Sequence, residues 1–160
     1  LKFYIAWESY LESIFKCFLL GEQTILGTSV HTCVTARDEE HASKLLIGIN
    51  KYFDWANHDY VCKLSRLYFD ENNPVVSAVN QIHTDLSDLR TIRNAAAHMT
   101  RTTQIPIEAL AQRMTGHQQQ GITPSGLIFL TEPETGMNYW DYYQQKLDIA
   151  AENIAKGIVI

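Results

Sequence analysis

The sequence predicts a mainly α-helical fold of antiparallel helices. Three features point there: apolar residues recur at three- and four-residue steps in several segments, capping residues precede some of those segments, and a strand is suggested only by the short apolar run 127–130, which turn residues bound. With 160 residues, 46% of them hydrophobic, the chain can bury one substantial core, and a single domain over residues 1–160 is expected.

The first segment sets Phe3, Trp7, Tyr10, Leu11, Ile14, Phe18 and Leu19 at helical spacing, with Glu8, Glu12 and Lys16 between them, and should end near Gly21. Thr35 or Asp38 is placed to cap a second helix. Its first turn carries Glu39 and Glu40, which suit the positive end of a helix dipole, and its stripe is Ala42, Leu45, Leu46, Ile49 and Phe53. Val61, Leu64, Leu67 and Tyr68 suggest a short third helix, closed by a turn over residues 70–73. Pro74 then stands where a proline opens a helix, directly after an asparagine cap.

The fourth helix is expected to be long, running from Pro74 to about Thr100 on the stripe Val75, Val79, Ile82, Leu86 and Leu89. Pro106 is suited to open a short helix through Ile107, Leu110 and Met114. Residues 116–126, with three glycines, a proline and three consecutive glutamines, read as a surface loop. The apolar run 127–130 and the turn residues 132–136 leave room for a small hairpin. A final helix carries Tyr143, Leu147, Ala150, Ile154 and Ile158 on one face.

No run approaches the roughly 18 apolar residues of a spanning helix, and no export signal opens the chain, so a soluble cytoplasmic protein with no membrane partner is expected. Three cysteines outside any C-x-x-C pair suggest free thiols. The net charge of −5 argues against coating nucleic acid through a broad basic surface. Within residues 81–101, however, Arg90, Arg93 and Arg101 outnumber Asp85 and Asp88, three to two, which leaves this stretch at +1.

On an ideal wheel Arg93 is the next step of the fourth helix's apolar stripe. Arg90, Asn94 and Arg101 fall beside it, with His83 alongside and His98 at the edge of the same sector; Asn94 and His98 are neighbours at i,i+4. A structural explanation competes: such an arginine can form a buried ion pair or an interface contact, and a histidine after three alanines can simply end a helix. Yet two arginines, an asparagine and a histidine also suit a phosphate, because arginine binds its oxygens in bidentate fashion and histidine moves protons near neutral pH.

The string from Arg93 and Asn94 through three alanines to His98 resembles the motif of the HEPN superfamily, an arginine and a polar residue followed by a histidine late in a long helix. The phrases at residues 6–12, 52–57 and 88–90 are similar to the RiboL-PSP and related prokaryotic branches, and the resemblance covers the first two thirds of the chain. It implies a helical bundle that pairs as a homodimer and acts as a metal-independent endoribonuclease in a toxin–antitoxin, phage-defence or RNA-processing system. Arg93 and His98 would then be catalytic and Asn94 supportive. No cofactor is implied; the partners would be RNA, a second copy, and an antitoxin or fused effector domain. Arg90, Arg101, His83 and Arg37 are candidate RNA-binding residues, although a solvated loop position suits Arg37 better. A non-catalytic module that binds RNA, a nucleotide or a protein is the alternative, and a purely structural dimerisation domain a third.

Other chemistry has less support. His31, Cys33 and His41 match no structural zinc spacing, and no serine-hydrolase elbow or phosphate loop is present, so no metal is expected. Trp7, Tyr52, Phe53 and Trp55 suit core packing better than base stacking. Trp140, Tyr142 and Tyr143 are a better candidate for an aromatic surface, although core or dimer packing suits them better still, and Asp85 and Asp88 are suited to orient nearby arginines.

Overall fold

The computed structural model describes residues 2–48, 50 and 52–159. These residues are mainly α-helical, in the order α1 (Lys2–Leu19), α2 (Glu39–Ile47), α3 (His58–Tyr68), α4 (Pro74–Gln81), α5 (His83–Ala97), α6 (Arg101–Thr115), α7 (Pro124–Ile128) and α8 (Tyr139–Lys156). Three isolated bridges are the β pairing found among them. No described helix is long and apolar enough to cross a membrane. By its internal contacts the chain divides into two compact units: a first unit of Lys2–His83 with Leu147–Ile160, and a second unit of Thr84–Lys146.

In the first unit, α1 buries Tyr4, Trp7, Leu11, Phe15 and Phe18, a stripe turned slightly from the predicted one, so that Phe3, Tyr10 and Ile14 are only half-buried. Phe15 meets Phe69 at 5.3 Å and Trp55 at 5.1 Å between ring centroids, and Phe18 meets Phe69 edge-on at 5.9 Å. Each such fully buried side chain contributes roughly 1.5–3 kcal/mol. Gly21 ends the helix in the left-handed conformation at φ 80°, which lets the Glu22 N–H close on the Cys17 carbonyl at 3.0 Å.

Asp38 is the cap of α2, accepting from the His41 N–H at 2.8 Å. The helix stops at Gly48 and does not reach Phe53, while Ile49 lies outside the described residues. α3 buries His58, Val61, Cys62 and Ser65, and Leu67, expected on its stripe, is exposed. Asn73 caps α4 as expected: its Oδ1 accepts from the Val75 and Val76 N–H groups and from the Ser65 hydroxyl, the last at 2.7 Å. That single oxygen ties the start of α4 to the packed α3.

The predicted long fourth helix is two helices. The ladder breaks at Ile82, whose backbone leaves helical geometry at φ −109° and ψ 21°. Residues 80–85, Asn-Gln-Ile-His-Thr-Asp, contain five poor helix formers, so nothing local resists the break. No strand pair forms at the possible hairpin among the described residues: Leu127 and Ile128 end the short α7, while the expected turn at 132–136 is closed by an isolated antiparallel bridge between Thr131 and Asn138 and by the Glu132 N–H bond to the Met137 carbonyl at 2.7 Å. Pro106 opens nothing. It lies inside α6, which starts five residues earlier behind Thr100.

α8 buries Tyr143, Leu147, Ala150 and Ile154 as the spacing predicts, and ends before Ile158. Gly157 follows at φ 74°, where a Cβ would stand 2.8 Å from Thr24 Cγ2, so both conformation and space require glycine there. In the same first unit the Tyr10 hydroxyl donates to the Ala151 carbonyl at 2.7 Å, and burial pushes its pKa up to about 12. Cys17, Cys33 and Cys62 are free thiols.

Candidate functional site

After the break at Ile82, the buried face of α5 runs Leu86, Leu89, Ile92 and Ala95. These steps of three lag behind the helical turn, so the buried stripe drifts around the axis and passes through Ile92. Arg93, the next residue, is exposed and does not occupy a core position. Asn94, Ala96, Ala97 and His98 are exposed with it, while Arg90 is half-buried one turn earlier. Arg93, Asn94 and His98 thus lie over the last turn of α5 and the residue after it. Among the described residues no side-chain hydrogen bond or ion pair engages these three.

A short turn, His98, Met99 and Thr100, joins α5 to α6. Thr103 holds it: its hydroxyl donates to the His98 carbonyl at 2.6 Å and accepts from the Thr100 N–H at 2.9 Å. The His98 N–H still donates to the Asn94 carbonyl at 3.1 Å. The backbone of His98 is therefore held from both sides while its imidazole faces outward. Arg101 is exposed at the first position of α6. The signal for Thr103 was present in the sequence as the capping spacing Thr100-x-x-Thr103, with a threonine where glutamate or glutamine is usual.

The remaining candidates lie in the first unit. Arg37 is exposed before α2, where its N–H donates to His41 Nδ1 at 3.2 Å. His83 sits 3.6 Å from Asp59 Oδ1. His31 pairs with Asp70 at 2.9 Å and, with Cys33 and His41, belongs to no cluster of three ligands found among the described residues. Trp7 is buried and Trp55 packs on Phe15 and Phe53, in keeping with core packing, whereas Tyr52 is exposed.

The second unit also contains a polar cavity of about 470 Å³ that the pattern of residues did not reveal, lined by Asp85, Asp88, Arg113, Glu132, Tyr142 and Tyr143 among others. Asp88 is 8% exposed. One of its oxygens accepts from the Arg113 guanidinium and the other from the Tyr143 hydroxyl at 3.1 Å. Asp88 does orient an arginine, but one on α6, twenty-five residues away. Burial, with the Asp88 carboxylate beside it, raises the Tyr143 phenol, and burial also pushes Tyr142 up to about 12. Hydrogen bonds from Thr135 hold the Glu132 carboxyl below its ordinary range.

Asp85 has the opposite shift. Burial raises its carboxyl above the usual value, partly countered by Lys146. A raised carboxyl favours the fold below the unfolded pKa and loses that advantage as pH rises through the folded one. Asp85→Asn should therefore gain stability over the parent as pH climbs from about 4 to 7. The half-exposed position limits the gain to about 1–2 °C in Tm. Calorimetric melting of both proteins across that range checks it, and a difference independent of pH would contradict the assignment.

Comparison with protein-family models, curated proteins and solved structures finds no match to this chain.

Proposed function

We propose that this chain is a cytoplasmic, metal-independent RNA endonuclease of the HEPN type, working as a homodimer, with Arg93 and His98 as the catalytic pair and Asn94 in support. The observation that carries the reading is the exposure of all three side chains over the end of α5, beside Arg101 at the start of α6. A phosphate approaching there meets guanidinium groups able to bind two oxygens at once and an imidazole able to move a proton.

RNA supplies its own nucleophile. The 2′-oxygen attacks the adjacent phosphorus, the bond to the 5′-oxygen breaks, and the products are a 2′,3′-cyclic phosphate and a free 5′-hydroxyl. One group takes the 2′ proton and another delivers a proton to the leaving oxygen, while arginine offsets the charge that develops on the phosphoryl oxygens. A two-fold axis against the end of α5 would bring two copies of the motif together. Ala96 and Ala97, exposed between Arg93 and His98, leave room for a second helix, and Met99 and Ile105 add exposed apolar surface nearby.

The purified chain, incubated with assorted RNAs in excess chelator, is expected to cut them and leave cyclic phosphate ends. A single 2′-deoxy substitution at the cut site should stop cleavage there. Strict dependence on added Mg²⁺, or equal cutting of the deoxy substrate, would rule the mechanism out.

A further inference from the structure

The first unit brings together two imidazoles and a carboxylate from segments that the sequence keeps apart. His58 and Asp59 open α3, behind the Asn57 cap, and His83 is the first residue of α5. His83 Nε2 stands 3.6 Å and His58 Nε2 3.9 Å from the same oxygen, Asp59 Oδ1. The two rings cross at 81° with centroids 4.0 Å apart, and one ligand atom from each of the three residues lies within 4.8 Å of the other two.

These separations can be compared with what a metal ion requires. Ligand bonds of about 2.0–2.1 Å in a tetrahedral site put neighbouring ligand atoms about 3.3 Å apart. The two Nε2–Oδ1 distances exceed that by a few tenths of an ångström and the three ligand atoms lie within 4.8 Å of one another, so rotations of Asp59 and His83 have to draw the set together. Both side chains have that freedom, being 68% and 50% exposed, whereas His58 is buried. The break at Ile82 matters here, since it allows His83 to begin a new helix rather than continue α4.

From this geometry we infer that His58, Asp59 and His83 form a binding site for a divalent transition-metal ion of the zinc class, with three protein ligands and a fourth position open to solvent. Two nitrogen donors and one oxygen favour Zn²⁺, Co²⁺ or Ni²⁺ over Mg²⁺ and Ca²⁺, which select oxygen ligands. The carboxylate carries one negative charge, so the loaded site keeps one positive charge and an exchangeable position for water or an anionic oxygen. Ligands that join the start of α3 to His83 also make the ion a cross-link within the first unit, so binding should add stability. The site shares no residue with Arg93, Asn94 and His98 and is read without the proposed cleavage, although His83 is also a candidate RNA contact.

The test uses the whole chain, stripped with chelator and exchanged into metal-free buffer, then titrated with Zn²⁺ and separately with Co²⁺. One ion per chain is expected, with tetrahedral visible absorption for Co²⁺ and a Tm rise of roughly 5–10 °C at a hundredfold excess of Zn²⁺ over Kd. His83→Ala and Asp59→Asn, both at solvent-facing positions, should each weaken binding at least tenfold while their metal-free Tm stays near the parent's. His31→Ala, which removes an exposed histidine paired with Asp70, should bind as the parent does. Absence of 1:1 binding to the parent, or undiminished binding by both site variants, would overturn the inference. RNA cleavage in chelator is scored separately, so neither result can stand in for the other.

Discussion

His98→Ala is expected to lower RNA cleavage by about 10²–10⁴-fold, the usual contribution of a positioned proton-transfer group, and to leave the melting temperature unchanged. The imidazole is exposed, and what fixes this position is backbone: the Thr103 hydroxyl bond to the His98 carbonyl and the His98 N–H bond to Asn94 both survive the substitution. Arg93→Ala should cost a similar factor by removing the bidentate phosphate contact, and Arg93→Lys should restore only part of it, since an ammonium keeps the charge but not the fork. Light scattering on each variant separates loss of chemistry from loss of pairing. Full activity in a verified His98→Ala protein would remove the site from consideration.

Asp88→Ala is expected to destabilise the chain by about 2–4 kcal/mol, which lowers Tm by roughly 5–15 °C. The carboxylate is nearly buried and serves two donors at once. Removing it leaves the Tyr143 hydroxyl, on a residue only 1% exposed, without its acceptor, whereas Arg113 is half-exposed and recovers water. The burden therefore falls on the tyrosine side. Tyr143→Phe should cost much less than Asp88→Ala, and the double variant should be more stable than the sum of the two single losses predicts. Denaturant melts of the four proteins give that coupling directly, and strict additivity would show that the Asp88–Tyr143 bond contributes nothing.

The helical class, the cap Asn73, the end of α1 at Gly21, and the buried face of α8 from Tyr143 to Ile154 were all legible in the sequence, which left the cap of α2 between Thr35 and Asp38. Each depends on local chemistry: a side-chain oxygen bonds an N–H two or three residues ahead, a glycine takes positive φ, and a stripe repeats with the helical turn. The closeness of Asn94 and His98 was legible for the same reason, because residues four apart on a helical turn are neighbours wherever the helix goes, and Arg93 adjoins Asn94 in the chain. Only the tertiary structure decided which way that group faces. The wheel assumed one unbroken helix from residue 74, and a break at Ile82 moved Arg93 off the core stripe and put Ile92 on it.

The pairs Asp88 with Arg113 and Asp88 with Tyr143, and the meeting of His58 and Asp59 with His83, were likewise beyond the sequence. Their partners stand roughly 25 to 55 residues apart, joined by helices whose directions depend on which apolar faces pack together. No local spacing encodes such a meeting. Periodicity specifies the face of an element, while the choice of which faces meet belongs to the packing of the whole chain.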